Sequence, residues 1–289
     1  METTELLKKV RKIEIKTRGL SQELFSGEYH TAFKGRGMSF SEVREYQVGD
    51  EIRTIDWNVT ARFGHPYIKV FEEERELTVM LLVDISGSES FGTRKQFKQD
   101  MITELCAVLA FSAIQNNDKI GVILFSDGIE LFIPPKKGKS HILHIIRELI
   151  EFKPKSTKTN ITQALRYFTN AIKKKCIAFV ISDFMDSGYS DALKIAAGKH
   201  DVIALRIYDK HERELPDMGL IKVKDSETGN ITWLDTSSKE VRNKYYTAVR
   251  EREQMMKDIF MRSGVDTASI ATDESYIVPL STLFKSRGK

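Results

Sequence analysis

The 289-residue sequence lacks most features of secreted and membrane-spanning proteins. It has two cysteines, Cys106 and Cys176, and each lies in an apolar helix or strand pattern typical of a buried thiol, not of a disulfide framework. No apolar run approaches the roughly 18 residues that a membrane span needs. The N-terminus, METTELLKKVRK, has no apolar core of a signal peptide. The sequence therefore predicts a protein without a membrane span, located in a reducing cytoplasm.

Common enzyme signatures are also missing. There is no GxxxxGK[ST] segment, so ATP binding by a P-loop is not expected. The six histidines are scattered and indicate no Ser/His/Asp arrangement. The net charge is only +4, which does not indicate nucleic acid or an anionic membrane as a partner. With 41% hydrophobic and 30% charged residues, the composition is typical of a globular protein.

The segment from Leu77 to Ser88, LTVMLLVDISGS, contains the first candidate site. Its apolar run predicts a strand buried on both faces of a parallel sheet. Asp84 ends that strand, where open α/β sheets bind their ligands, and Ser86 and Ser88 complete a D-x-S-x-S pattern. Taken alone, the serines could equally cap the following helix.

Two further oxygen donors are predicted at the same edge of the sheet. Thr159 precedes the helical pattern at 161–172, and Asp183 ends a second apolar strand pattern at 175–183. If the two strands are parallel, both residues reach the end of the sheet that holds Asp84. Carboxylate and hydroxyl oxygens suit Mg²⁺ or Mn²⁺, so the five residues together predict a metal site.

This set of residues resembles the metal-ion-dependent adhesion site of von Willebrand factor A domains, which combines D-x-S-x-S with a distant Thr and a distant Asp. The matching positions are Asp84, Ser86, Ser88, Thr159 and Asp183. The resemblance implies a bound Mg²⁺ or Mn²⁺ with one coordination position left for a carboxylate of a protein partner.

The segment from Gly37 to Arg62 mixes charged residues with aromatic ones. One hypothesis is a recognition or catalytic cluster; the other, which we favour, is a structural clasp on the main domain, because paired Arg and Asp more often stabilise structure. As a clasp, the segment should have intramolecular Arg/Asp pairs and a largely buried Trp57. The residues concerned are Arg44, Tyr46, Asp50, Arg53, Asp56, Trp57 and Arg62.

The same segment, R-E-Y-x-x-G-D-x-x-R-x-I-D-W followed by A-R, resembles the signature of domain-of-unknown-function family fifty-eight (DUF58). The resemblance implies an N-terminal appendage over residues 1–75 and a von Willebrand A-like domain over residues 76–289. Such bacterial proteins often accompany MoxR-type AAA+ ATPases. This implies a role beside an ATPase in the maturation or assembly of client proteins.

Strand and helix patterns alternate through the rest of the chain, including a hairpin at 220–234 and a long helix at 238–262. They predict an α/β fold with a doubly wound, mostly parallel sheet of the von Willebrand A-like or Rossmann-like kind. The predicted function is a non-enzymatic, divalent-metal-dependent protein–protein interaction module.

Two alternatives remain open at this stage. A metal-dependent phosphatase could use Asp84 as nucleophile, although such enzymes need a second Asp two residues later, where this chain has Ser86. A structural scaffold with an empty metal site is the other alternative.

The loop before Thr159 carries three lysines and no acid. These residues, here called the lysine rim, are Lys153, Lys155 and Lys158. They are either ordinary solvated lysines or a basic surface that binds an acidic protein segment, from an AAA+ ATPase or its client.

Overall fold

The computed structural model describes residues 10–14, 16–17, 39–72, 76–87, 98–224 and 230–287. Ser88 lies outside the described residues. The chain divides into two compact units, a smaller one from Phe33 to Glu76 and a larger one made of the remainder. The predicted boundary at residues 75 and 76 lies at the end of the smaller unit, whereas residues 1–32, which were predicted to belong to the appendage, group with the larger unit.

The smaller unit is a two-stranded antiparallel ribbon with one short helix. Its elements are β1 (Ser39–Glu45), α1 (Trp57–Phe63) and β2 (Tyr67–Glu72), with a 3₁₀ turn at Ile52–Thr54. β1 was not predicted, because its sequence SFSEVRE has no apolar run. Pairing with β2 supplies the hydrogen bonds that make it a strand.

The larger unit contains the remaining strands and helices. The strands are β3 (Thr78–Asp84), β4 (Lys119–Phe125), β5 (Ile129–Lys136), β6 (Ile177–Ser182), β7 (Asp201–Tyr208), β8 (Leu220–Lys224), β9 (Ile231–Asp235) and β10 (Asp266–Ala271). The helices with described bounds are α2 (Lys98–Gln115), α3 (Lys139–Glu151), α4 (Ile161–Ala171), α5 (Ser190–Lys199), α6 (Lys239–Ser263) and α7 (Ile277–Arg287), and residues 10–14 and 16–17 are also helical. In the part of the chain that the structure describes, no helix is both long and apolar enough to cross a bilayer.

Six of these strands form one sheet in the order β10-β7-β6-β3-β4-β5, and β8 and β9 form a separate hairpin. All neighbours in the sheet are parallel except β4 and the edge strand β5. That edge strand contains Pro134 and Pro135, beside an irregularity in its pairing with β4. The predicted doubly wound, mostly parallel α/β fold is confirmed.

Helices cover both faces of the sheet. Side chains of α4, α5 and α6, including Phe168, Leu193 and Phe260, form one buried cluster with alternate residues of the central strands. On the opposite face lie α2, α3 and α7, where the ring of Phe284 meets that of Phe179 at a centroid distance of 6.5 Å. Burial on both faces explains why these strands have continuous apolar sequences.

The order of the strands creates one position where the direction of winding reverses. From β3 the chain continues through β4 and β5 to one edge, and from β6 through β7 and β10 to the other. Ligands in open α/β sheets bind at such a reversal, outside the carboxyl ends of the strands. Asp84 ends β3 and Asp183 follows β6, so both lie at this position, here called the carboxyl edge.

The smaller unit is held together by its own ion pairs and hydrogen bonds. The guanidinium of Arg44 donates to both carboxylate oxygens of Asp50, at 2.8 and 2.7 Å. These hydrogen bonds hold the pKa of Asp50 below its usual range. Asp56 accepts from the amides of Asn58 and Val59 and thereby caps α1. The Arg44–Asp50 pair is therefore intramolecular, as predicted.

The expectation that Trp57 is largely buried is wrong. Its side chain is 67% exposed, and Arg53 and Arg62 are exposed as well. Trp57 opens a seven-residue helix in which none of the described side chains is buried, because a helix this short has no wide apolar stripe. Tyr46 is half-buried. Whether the Gly37–Arg62 segment clasps the main domain stays a prediction.

The exposure of Trp57 gives a first testable prediction. Trp57→Ala should change the free energy of unfolding by less than about 1 kcal/mol, because exposed side chains contribute little to stability. The measurement is urea unfolding followed by circular dichroism. The control is Phe168→Ala in the buried cluster, which should cost about 3–5 kcal/mol. A loss of about 3 kcal/mol or more for Trp57→Ala would contradict the prediction.

Candidate functional site

Asp84 is a buried carboxylate held in a fixed orientation. It is 1% exposed at the end of β3. One carboxylate oxygen, Oδ1, accepts from the amide of Ser86 at 3.0 Å, and Oδ2 accepts from the hydroxyl of Ser182 at 2.6 Å. Ser182 was not predicted as a site residue. The only signal was its place directly before Asp183 at the end of a predicted strand that neighbours β3.

The ionised form of Asp84 is destabilised by its surroundings. Burial, and then the charge of Asp183, raise the pKa of Asp84 to about 7, while hydrogen bonds from Ser182 and Ser86 act in the opposite direction. A carboxylate in this condition is stabilised by a cation beside it. A cation beside Asp84 would therefore lower its pKa and stabilise its ionised form.

Ser86 lies on a loop that backbone hydrogen bonds fix on two sides. The amide of Ile85 donates to the carbonyl of Phe125, and the amide of Gly87 donates to the carbonyl of Thr157, both at 2.9 Å. Ser86 itself is 1% exposed, and its side chain hydrogen-bonds to Asp84. The loop after β3 is thus joined directly to the loop that carries Thr159.

The Thr159 loop is anchored to the neighbouring strands by two residues that the sequence analysis missed. Glu130 on β5 accepts from the hydroxyl of Ser126 at 2.7 Å and from the amide of Lys155 at 3.0 Å. Asp186 accepts from the amide of Ile161 at the start of α4, at 2.8 Å. These contacts fix the loop on both sides of Thr159.

The hydroxyl oxygen of Thr159 is the strongest indication of a bound ligand at the carboxyl edge. Its Oγ1 is buried and has no hydrogen-bond partner among the described residues. Buried polar atoms are nearly always paired, because an unpaired one loses its hydration without compensation. The partner of this hydroxyl therefore lies outside the described residues, and a bound cation is one species that would supply it.

Asp183 has an unexpected neighbour. It is 4% exposed, and its Oδ1 accepts from the amide of Met185 at 3.1 Å. Its Oδ2 lies 3.3 Å from Nζ of Lys98, a fully buried lysine that is the first described residue of α2. The same Nζ lies 2.7 Å from Oε1 of Glu212. Lys98 and Glu212 carried no sequence signal, because they meet only through the fold.

The donors at the carboxyl edge fit a hard divalent cation. They are two carboxylates and two hydroxyls, from Asp84, Asp183, Ser86 and Thr159, and oxygen donors of this kind suit Mg²⁺ or Mn²⁺. Among the described residues there is no group of three or more His, Cys, Asp and Glu that could hold a metal. The candidate site has only two acids, and its other donors are hydroxyls, so it is not a group of that kind.

The lysine rim is exposed on the loop that ends in Thr159. Lys153, Lys155 and Lys158 all have exposed side chains. Their role in binding a partner stays a prediction.

The buried carboxylate gives a prediction for the metal-free protein. Because the pKa of Asp84 is raised from 3.8 to about 7 in the folded state, its contribution to stability is present at low pH and is lost as pH rises from about 4 to 7. The stability of Asp84→Asn relative to wild type should therefore rise by about 2–3 kcal/mol between about pH 5 and pH 8, because the variant has no carboxyl group to ionise.

Urea unfolding in EDTA at the two pH values measures this effect. Asp118→Asn is the matched control, since Asp118 is a buried acid at the opposite edge whose Oδ1 accepts from the amide of Leu77. A difference in stability between Asp84→Asn and wild type that is the same at both pH values would contradict the prediction.

Comparison with curated proteins finds relatives along almost the whole chain. The uncharacterized protein Mb1516 of Mycobacterium bovis is 24% identical over 290 residues, covering 99% of this chain and 91% of its own. The uncharacterized protein YeaD of Bacillus subtilis is 28% identical over 109 residues, which cover 38% of this chain and 25% of YeaD.

Two solved structures share the fold. The conserved hypothetical protein BatB from Bacteroides thetaiotaomicron has a TM-score of 0.50 and 17% identity, covering 73% of this chain and 98% of its own. An aerotolerance-related membrane protein from Bacteroides fragilis has a TM-score of 0.51, also with 17% identity, covering 73% of this chain and 99% of its own.

A family model, Protein of unknown function DUF58, matches residues 42–255. The match begins within β1 of the smaller unit and ends within α6, so it includes Asp84, Thr159 and Asp183. Because it spans well over half of the sequence, the chain belongs to the DUF58 family.

Proposed function

We propose that this protein is a non-enzymatic, divalent-metal-dependent protein–protein interaction module. Mg²⁺ or Mn²⁺ would be held at the carboxyl edge by Asp84, Ser86, Thr159 and Asp183. Ser88, which lies outside the described residues, is a fifth donor by resemblance to von Willebrand factor A domains. The observation that carries the proposal is the buried, unpaired Oγ1 of Thr159 at an edge with two buried carboxylates.

The donor set favours binding of a further acid over permanent storage of the metal. When bound, the metal supplies a coordination position for an incoming carboxylate. The two acids only balance a charge of 2+, and the hydroxyls of Ser86 and Thr159 are neutral. A cation held in this way keeps more attraction for an additional anion than one surrounded by several carboxylates.

The partner proposed is a protein segment rich in Asp or Glu. One acid of that segment would complete the metal site, and its neighbours would meet the lysine rim, whose side chains are exposed on the loop that carries Thr159. The resemblance to the DUF58 signature makes a MoxR-type AAA+ ATPase, or its client, the proposed source of the segment. The interaction would take place in the cytoplasm.

The phosphatase alternative receives less support. Asp84 is 1% exposed, and hydrogen bonds from Ser86 and Ser182 hold its carboxylate in one orientation, so a substrate phosphorus has little room to approach it. Ser86 occupies the position where such enzymes place the general acid. The scaffold alternative, with an empty metal site, is tested by the titration that follows.

Calorimetric titration with Mn²⁺ tests the metal. Wild type should bind, Asp84→Ala should not, and Thr159→Val should bind about tenfold more weakly, because it removes one ligand oxygen at nearly constant volume. Thr169→Val is the matched control: its buried hydroxyl donates to the carbonyl of Leu165 within α4, away from the site. Equal binding by wild type and Asp84→Ala would rule out the assignment.

The lysine rim is tested with the partner recovered by a metal-dependent pull-down. Replacing all three rim lysines by Glu should slow association and flatten its dependence on salt, because exposed charges mainly steer encounter. The matched control replaces the three exposed lysines before β6, at the opposite edge, by Glu; they are Lys173, Lys174 and Lys175. An unchanged rate and salt slope for the rim variant would show that its lysines are only solvated.

A further inference from the structure

Lys98 is a lysine with no exposed surface, and it lies against a candidate metal ligand. Its Nζ is 3.3 Å from Oδ2 of Asp183 and 2.7 Å from Oε1 of Glu212. A buried ammonium is tolerated only when it is paired with opposite charge and hydrogen-bonded. The protein therefore has a positive charge of its own at the carboxyl edge.

Glu212 is fixed where it meets Lys98. It lies on a 3₁₀ turn, Lys210–Glu212, directly after β7, and its Oε2 accepts from the amide of Asp209 at 3.1 Å. Its backbone carbonyl accepts from the hydroxyl of Tyr245 on α6, at 2.7 Å. Because hydrogen bonds with Asp209 and Tyr245 anchor Glu212, its carboxylate can hold the ammonium of Lys98 near itself.

Lys98 and a metal ion would share one carboxylate. In the metal-free protein, Lys98 offsets part of the repulsion between Asp183 and Asp84, both of which are buried. A divalent cation bound to Asp183 would meet the ammonium as a like charge in surroundings that screen charges poorly. Because the contact of Lys98 with Glu212 is the shorter one, the ion pair of Lys98 with Asp183 is the weaker of the two.

We infer that Lys98 sets the affinity of the carboxyl edge for divalent cations. Its ammonium competes with the cation for the carboxylate of Asp183, and its ion pair with Glu212 weakens that competition. The inference rests on the proposed function, because it concerns the same site. It makes Lys98 and Glu212 positioning residues that determine how much free metal the protein needs before it can bind a partner.

Titration with Mn²⁺ measures the effect of Lys98. Lys98→Met keeps a long side chain but removes the charge, and it should tighten Mn²⁺ binding about tenfold, because it removes a like charge beside a ligand; the size is at the low end of what residues beside metal ligands contribute. Lys98→Arg keeps the charge and should bind as weakly as wild type. Lys139→Met is the matched control, because it breaks an ion pair with Glu14 away from the site and should leave Mn²⁺ affinity unchanged.

Glu212 provides an independent test through a double-mutant cycle. Glu212→Gln should weaken Mn²⁺ binding about tenfold in the wild-type background, because Lys98 then loses its ion pair with Glu212 and pairs more strongly with Asp183. In the Lys98→Met background the same change should have little effect, since there is no ammonium left to redirect. An equal loss in both backgrounds would show that Glu212 does not act through Lys98.

Thermal unfolding followed by circular dichroism shows which variants fold. If Lys98→Met does not fold, Lys98→Gln takes its place. Tight binding by Lys98→Met with weak binding by wild type supports the inference. Equal affinities of wild type, Lys98→Met and Lys98→Arg overturn the role of Lys98 and leave the proposed function intact. No binding of millimolar Mn²⁺ by wild type or Lys98→Met overturns the proposed function, and the inference with it.

Discussion

The burial of two carboxylates at one end of an apolar sheet is the constraint on which the structure of the site depends. Asp84 and Asp183 are 1% and 4% exposed, at the point where the winding of the sheet reverses. Because the fold withdraws these charges from water, compensating groups must surround them. The hydroxyl of Ser182, the ammonium of Lys98 and the backbone amides after each strand supply that compensation.

The sequence predicted the elements of the larger unit because each buried strand is a continuous apolar run. The same runs end in acids, so the positions of Asp84 and Asp183 followed from strand order and the rule for open α/β sheets. It could not predict Lys98, Glu212 or Ser182 as their neighbours. Lys98 is 85 positions from Asp183, and Ser182 is 98 from Asp84; only tertiary packing brings them together. β1 was missed because its residues alternate too weakly to indicate a strand.

The residues of the DUF58 signature have more than one physical role within the smaller unit. Arg44 and Asp50 form an ion pair, and Asp56 caps α1, so these residues build the unit itself. Arg53 and Trp57 are exposed and contribute little to its packing. A single description, either structural clasp or recognition surface, therefore does not cover the whole segment.

The two prolines in β5 limit how this protein can associate with others. An edge strand of a sheet offers unpaired backbone groups to any extended chain, and such pairing leads to aggregation or to strand exchange. Pro134 and Pro135 have no N–H to donate, and they interrupt the regular pairing of β5 with β4. Growth of the sheet by an added strand is therefore obstructed at the β5 edge, which protects this edge from self-assembly.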